Sequence, residues 1–346
     1  MKYEAWDIDF AKHEEEYLNL YKKYSLEEFN VENLETRLAK VAARGYAVTV
    51  ANATDALHFS LLCNDIGPGD EVLVSDFSWI STASCISMVG AIPVFCDIDD
   101  DYHISLESIM RMMSPSVKAL IYTPLFGNMS DMTNIINFCN QNNIVLIEDS
   151  AQAIGSKYNG KPAGSFGDIS SYSFNDNKVI GGISGGGVLL TDDKDKAELV
   201  TKLRRHGRGE MLGRNSTMYH MNAAIIDFRL NRMQELQSMR QDIAAMYDDA
   251  FGIIPNNNVD NNRHKYVYRC SSEDARNQIK DQIRGKIHYP QISKNPMYNS
   301  IQHRKDDCIK SEAASKTVVS LPIHPYMEEE EIEKVINTVC ILDENF

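Results

Sequence analysis

From Tyr46 to Thr191 the sequence alternates short apolar runs with longer stretches of helical periodicity, and no other feature restricts the fold so tightly. "YAVTVAN" (46–52), "EVLVS" (71–75), "IPVFCDI" (92–98), "KALIYTP" (118–124), "NIVLIEDS" (143–150) and "GGVLLTD" (186–192) have the length and β-branched content of buried strands. "TDALHFSLLCNDI" (54–66) and "MTNIINFCNQN" (132–142) carry apolar residues at helical spacing, with Thr54 placed to cap the first. Strands that alternate with helices imply an α/β fold, a mostly parallel sheet flanked by helices on both faces. After about residue 230 the character changes: a long helical pattern, "RLNRMQELQSMRQDIAAMYDDAF" (229–251), leads through polar "IPNNNVDNNRHK" (254–265) into a mixed segment. The expected organisation is a large α/β domain over 1–230, with an N-terminal arm of about 1–28, and a smaller C-terminal α+β domain over 231–346.

The chain's 49 acidic against 35 basic side chains give a formal charge of −14, which argues against a sequence-independent grip on nucleic acid or on an anionic membrane. Its seven cysteines form no CxxC pair and read as reduced thiols, with no metal-ligand set among them. The opening "MKYEAWDIDFAKHEEEYLNLYKK" lacks an apolar signal core and no run is long enough to span a bilayer, so a cytoplasmic protein is expected.

In open sheets of this kind ligands gather at the carboxyl ends of the strands. Three of those ends carry chemistry here. Ala53-Thr54 follows "YAVTVAN" at a helix start, where free amides and a hydroxyl suit a phosphate. Glu148-Asp149 closes "NIVLIEDS", and "SYSFNDNKVIGGISGGG" sets Lys178 in a glycine-rich turn. Each has a plainer structural reading: a helix cap, a surface acid, a solvated lysine beside a tight turn. Together they are the parts that pyridoxal 5'-phosphate requires. A carboxylate, Asp149, keeps the ring nitrogen protonated; a lysine, Lys178, holds the aldehyde as a Schiff base and moves the proton. Burial would lower that lysine's pKa toward the working range. Trp79 in "DFSWIST" offers an aromatic cover, and Ser173 a further phosphate ligand.

"NATDAL", "GPGDEVLVSDFSWIST", "GAIPVFCDID", "IEDSAQAIGSKYNGKPAGSFGDISSYSFNDNK", "GRNSTMYHMNAAI", "IHYP" and "SLPIHP" resemble, in order, the signatures of the DegT/StrS-type nucleotide-sugar aminotransferases. That family is a branch of the fold-type I pyridoxal phosphate enzymes, and the resemblance runs from about residue 29 to the C-terminus. It implies Lys178 as the Schiff-base lysine, Asp149 at the pyridine nitrogen, Gln152 near the phenolic oxygen and Trp79 stacked on the ring. It also implies Ala53, Thr54 and Ser173 around the phosphate, with Asn215 reaching in from a neighbouring subunit, hence a homodimer with shared active sites. His288 and Tyr289 fall in the segment that approaches the sugar.

The activity so implied moves an amino group from glutamate to a nucleotide-linked keto-6-deoxy sugar, for surface polysaccharide or glycan biosynthesis. The loop from Lys178 to Thr191 and the pair Asn215-Ser216 resemble the enzymes that aminate carbon 3, while "SGGG" resembles the carbon 4 enzymes. The lean is to a 3-keto sugar. Departures border the substrate: Thr217 replaces the family's arginine, Pro124 a histidine, and the N-terminal arm is atypical. A cyclitol or other ketone as acceptor, or a non-catalytic sensor of cofactor or nucleotide sugar, are the alternatives.

Overall fold

The computed structural model describes residues 4–25 and 27–343; residues 1–3 and 26 of the expected arm, and the last three residues, lie outside it. The strands are β1 (Tyr46–Val50), β2 (Glu71–Ser75), β3 (Ile92–Cys96), β4 (Val117–Tyr122) and β5 (Val145–Asp149), a small hairpin β6 (Lys157–Tyr158) and β7 (Lys161–Pro162), then β8 (Ile169–Ser173) and β9 (Gly187–Thr191). Beyond them come β10 (Val259–Asp260), β11 (Tyr266–Arg269), β12 (Arg304–Lys305) and β13 (Val318–Leu321).

Eight of these strands form one sheet in the order β1-β9-β8-β5-β4-β2-β3-β12. Its pairings are parallel from β8 to β12, and only β9 runs against the rest. The reason is local: β8 and β9 are joined by a glycine-rich loop, 174–186, that contains no crossover helix of the kind a parallel pair usually has. Successive side chains of a strand point to opposite faces. Val72 and Val74 of β2 therefore enter a core beneath the helices Ala53–Leu62, Ser81–Met88 and Lys194–Leu203, whereas Leu73 enters the opposite core with Ile109, Ile135 and Cys139. Both faces are covered, which is why β2, β8 and β9 are buried along their whole length. This is the fold-type I architecture expected from sequence.

Two local expectations need correction. The helix after β1 is capped by Asn52, not Thr54: the Asn52 side chain accepts from the Asp55 amide at 2.9 Å, leaving Ala53 and Thr54 in the first turn. The single long helix expected over 229–251 is two, His220–Asn231 and Met233–Ala250, broken at Arg232 (φ −102°, ψ 9°). Arg232 bonds Asp9 at 2.9 Å and Glu235 at 3.0 Å, anchoring that corner.

The later chain builds a separate apolar cluster. Ile243 and Tyr247 pack there against β11, β13 and the helices Glu273–Gln282 and Glu329–Leu342. It also returns to the large sheet, where β12 lies beside Val94 and Phe95 of β3. The N-terminal helices Glu4–Lys12 and Glu14–Tyr24 lie on the helix His220–Asn231, with Tyr17, Met221 and Ile225 buried between them. Asp9, 1% exposed, ties this arm down by ion pairs to Arg229 (2.8 Å) and Arg232 (2.9 Å). Among the described residues no helix is long and apolar enough to cross a membrane. All seven cysteines are free, and six are buried.

Candidate active site

The sheet delivers its chemistry to one edge. Asp149 is the last residue of β5 and Ser173 the last of β8; Thr123 follows β4, and the turn carrying Trp79 follows β2. Of the ten site residues expected from sequence, nine line a single cleft of about 1100 Å³, and Asn215 does not.

One wall of the cleft is the start of the helix Ala53–Leu62. The amides of Ala53 and Thr54 fall in its first turn, where they are not consumed by the helix ladder. Strand β9 presses closely against that turn: a Cβ at Gly187 would sit 2.4 Å from the Asn52 carbonyl carbon and 2.6 Å from the Ala53 nitrogen. Gly186 beside it has φ +127°, where a side chain is strained. The Thr54 hydroxyl reaches Ser81 at 3.0 Å, and Ser173 completes the group. Thr123, in the cleft wall, and Ser171 of β8, paired in the sheet with Asp149, have buried hydroxyls without a hydrogen-bond partner among the described residues.

At the centre Asp149 keeps one oxygen on the Thr82 hydroxyl (2.8 Å), while the other receives a long contact from the Ala151 amide at 3.4 Å. Burial pushes its carboxyl above the usual range, opposed by the Thr82 hydrogen bond and the charge of Lys178. A buried carboxylate of this kind gains most from a cation that faces it directly. Lys178 is pushed down to about 8 by burial, with Asp149 pulling the other way, so the amine sheds its proton much closer to neutrality than a solvated lysine does. The Gln152 side chain is fixed at both ends, accepting from the Phe126 amide (2.9 Å) and donating to the Tyr289 hydroxyl (3.1 Å). Trp79 stands at the rim, 55% exposed, edge-on to Tyr289 at 6.1 Å. His288 bonds Ser320 at 2.8 Å, and burial among lysines lowers it to about 3, so its ring is neutral.

These residues fit pyridoxal phosphate: a helix start and hydroxyls for the phosphate, Asp149 for the ring nitrogen, Lys178 for the aldehyde. Asn215 is exposed, bridged to Arg205 in a loop outside the cleft, with the Thr217 hydroxyl 3.4 Å from its side-chain oxygen.

Several participants were not foreseen. Thr82 lies inside the helix Ser81–Met88 and gives no signal in sequence. Asn222 braces the glycine turn, accepting from the Ile183 amide at 2.8 Å and donating to the Gly185 carbonyl at 2.6 Å. Trp6 of the N-terminal helix donates to the Asp176 carbonyl at 2.8 Å, two residues from Lys178. Lys265 and His264 line the cleft just before β11, and burial together with Lys178, Arg240 and Lys286 lowers Lys265 to about 7.

Comparison with known proteins agrees with this geometry. The model of the DegT/DnrJ/EryC1/StrS aminotransferase family matches residues 19–340. The chain is 33% identical over 323 residues to the dTDP-3-amino-3,6-dideoxy-alpha-D-galactopyranose transaminase of Aneurinibacillus thermoaerophilus, covering 89% of both chains. It is 30% identical over 313 residues to the UDP-2-acetamido-2-deoxy-3-oxo-D-glucuronate aminotransferase of Pseudomonas aeruginosa, covering 86% of each. In three dimensions it superposes on a DegT DnrJ EryC1 StrS aminotransferase from Brucella abortus with a TM-score of 0.90 at 25% identity, over 97% of this chain and 98% of that one. The catalytic class that the cleft suits is therefore also that of its relatives, pyridoxal phosphate-dependent sugar aminotransferases, and the chain belongs to the DegT/DnrJ/EryC1/StrS aminotransferase family.

Proposed function

We propose that the protein transfers an amino group from glutamate to the ketone of a nucleotide-linked keto-6-deoxy sugar, at carbon 3 in preference to carbon 4, with pyridoxal phosphate held in the cleft of Asp149 and Lys178. The observation that carries this reading is the meeting of Lys178, Asp149 and the helix start at Ala53-Thr54 in one cleft. When bound, the cofactor supplies an aldehyde that takes up the amine and a ring that withdraws electrons from the reacting carbon.

In this reading the residues do the following. The amides of Ala53 and Thr54, with the hydroxyls of Thr54 and Ser173, anchor the phosphate and so fix the ring's register. Asp149, oriented by Thr82, keeps the ring nitrogen protonated. Lys178 Nζ accepts the proton released from the α-carbon of glutamate, which departs as 2-oxoglutarate. In the second half it delivers a proton to the sugar carbon that gains nitrogen. Gln152 and Tyr289, bonded to each other, sit where the ring oxygen and the incoming sugar meet, and Trp79 covers the ring. His288 faces the sugar. The preference for carbon 3 is supported by the reactions named for the two relatives, whose names carry a 3-amino and a 3-oxo group.

A homodimer with shared active sites belongs to the same proposal. Asn215 lies outside its own cleft in a loop that also exposes Leu212 (96%) and Tyr219 (62%), apolar surface of the kind that a second copy covers. A division into a large unit over 1–230 and a smaller one from 231 is likewise our proposal, supported by the separate apolar cluster around Tyr247 and Val335. The product would feed surface polysaccharide or glycan assembly in the cytoplasm.

The test uses nitrogen-labelled glutamate and a panel of nucleotide-linked 3-keto and 4-keto sugars, with magnetic resonance locating the labelled carbon. Label should appear on the sugar with wild type and vanish with Lys178→Ala. Transfer undiminished in that variant, or no label on any sugar, would refute the reading.

A further inference from the structure

On the far side of Lys178 the cleft opens into a second chamber of about 1020 Å³, and the two share Asn177, Lys178, His264, Lys265 and His288 in their walls. The outer walls come from separate parts of the chain. Trp6 belongs to the N-terminal helix, Arg240 to the helix Met233–Ala250, Lys265 to the approach to β11, and Lys286 pairs its backbone with Ser320 of β13.

The charge of these walls is lopsided. The charges that act most strongly on Lys265 are positive, those of Lys178, Arg240 and Lys286. The same holds for His288, which faces Lys265, Lys286 and Lys178, and for His264. Arg240 makes one hydrogen bond, to the Ile323 carbonyl at 3.0 Å, and its buried Nε has no partner; the buried His264 Nδ1 has none either. Among the described residues the one carboxylate in the wall is Asp176, which has contacts of its own. Like charges gathered away from water without a counter-ion are costly. In a chain of net charge −14, with acidic groups plentiful elsewhere, their gathering here suits an anion that comes and goes.

Position narrows the anion. The phosphate end of the cofactor already has its seat at the helix start, on the other side of Lys178. A group held by Lys265 shares a wall with the reacting amine, so it lies within a few bonds of the carbon that gains or loses nitrogen. A planar guanidinium with ammonium groups beside it suits a carboxylate.

We propose that the outer chamber is a carboxylate-binding subsite for the acidic reactant of the transfer, with Lys265 as its central contact and Arg240 and Lys286 flanking it. It rests on the aminotransferase reading for the identity of that reactant and on nothing else. The carboxylate has two sources: the side chain of a dicarboxylic amino donor, or carbon 6 of a keto sugar oxidised to the uronate, which would take the place of the 6-deoxy acceptor proposed above.

Glutarate, a dicarboxylate that has no amine and cannot be transferred, tests the subsite apart from the chemistry. Titrated by calorimetry into cofactor-loaded protein, it should bind saturably. Lys265→Met should weaken it by about tenfold or more, the loss expected for a hydrogen bond to a charged group, and Lys265→Arg should restore most of it. Thermal unfolding of Lys265→Met should show a protein no less stable than wild type, since the change removes an uncompensated charge. No glutarate binding by wild type, unchanged binding by the Met variant, or inorganic pyrophosphate binding more tightly through Lys265 than glutarate does, would each overturn the subsite. Those results leave labelled-nitrogen transfer untouched, so failure here is distinct from failure of the aminotransferase reading.

The source follows from KM in each half of the reaction. A rise in Lys265→Met for glutamate but not for alanine assigns the subsite to the donor. A rise for a nucleotide-linked keto-uronate but not for its 6-deoxy counterpart assigns it to the acceptor. Equal changes for acidic and neutral reactants in both halves would also overturn the proposal.

Discussion

The chambers that meet at Lys178 handle charge in opposite ways. In the inner one a carboxylate, Asp149, offsets Lys178, and apart from Lys265, which both chambers share, hydroxyls, amides and rings fill most of the remaining wall. In the outer one Arg240, Lys265 and Lys286 stand together, and among the described residues the wall offers them one carboxylate, Asp176, which has contacts of its own. A balanced site suits a resident group whose own charges complete the match. An unbalanced one suits a visitor, because an anion that leaves must not have been replaced by a permanent side-chain partner. The contrast also separates positioning from recognition: the inner groups are fixed by one rigid sheet edge, whereas the outer ones depend on how the arm and the later chain rest against it.

The largest test of this contrast is Asp149→Asn. It keeps the shape and the Thr82 contact but removes the charge, and we expect kcat to fall by about a thousandfold, within the range for a lost proton-controlling group. Glutarate binding in the outer chamber should stay within about threefold of wild type. Single-turnover rates and calorimetry on the same preparation check both. If glutarate binding collapses as well, the chambers are one electrostatic unit and the division fails.

Asp9→Asn probes how firmly the outer wall is held. Asp9 is buried between Arg229 (2.8 Å) and Arg232 (2.9 Å), and removing its charge strands two guanidinium groups. The expected loss is about 3–5 kcal/mol of unfolding free energy, read from denaturant titration. Burial alone would raise the Asp9 carboxyl, but Arg229, Arg232 and the hydroxyls of Tyr17 and Tyr326 overcome it and hold the carboxyl below its usual value. Its folded pKa is thus depressed, so its contribution is present above the ordinary carboxylate pKa and is lost as pH falls through the folded value. In Asp9→Asn the acid limb of the stability curve should flatten.

Thr82→Val is the intermediate case. It removes the hydroxyl that orients Asp149 while leaving the carboxylate in place, and should lower kcat by roughly tenfold, the worth of one buried hydrogen bond to a charge. Thr82→Ser should recover it. An unchanged rate in the valine variant would mean that burial alone positions Asp149.

How much of this was legible in the sequence follows the same division. Asp149, Gln152, Ser173 and Lys178 could be found because each sits at or just after an apolar run, and a parallel sheet turns run ends into a single line of residues. The fold was legible for the same reason: runs such as "EVLVS" are apolar at every position, as a strand covered on both faces must be. Thr82 was not legible, since its partner is 67 residues away and its own surroundings read as an ordinary helix. The break at Arg232 was hidden because no glycine or proline marks it; the side chain's bonds to Asp9 and Glu235 hold that corner. Lys265 carries no local sign at all. Its meaning comes from Lys178, Arg240 and Lys286, residues that only the folded chain brings together.

The smallest effect tests the outer chamber from the side of pH. Lys265 is lowered to about 7 by burial and by the facing cations Lys178, Arg240 and Lys286; the neighbouring rings of His264 and His288 are themselves lowered and stay neutral. Protonated Lys265 is the form that pairs with a carboxylate, so glutarate affinity should weaken as pH rises through that value. The change should be a few-fold between about pH 6 and about pH 8, and a single titrating group cannot exceed tenfold per pH unit. A bound carboxylate raises the lysine's pKa in turn, which shifts the midpoint upward in the complex and makes binding take up protons. Lys265→Arg stays charged throughout, so its profile should be flat over the same interval while its affinity remains close to wild type. A flat wild-type profile with Lys265-dependent binding would show that the lysine keeps its proton at every working pH. An arginine variant that still titrates would move the pH dependence to Lys178 and dissolve the boundary between the two chambers.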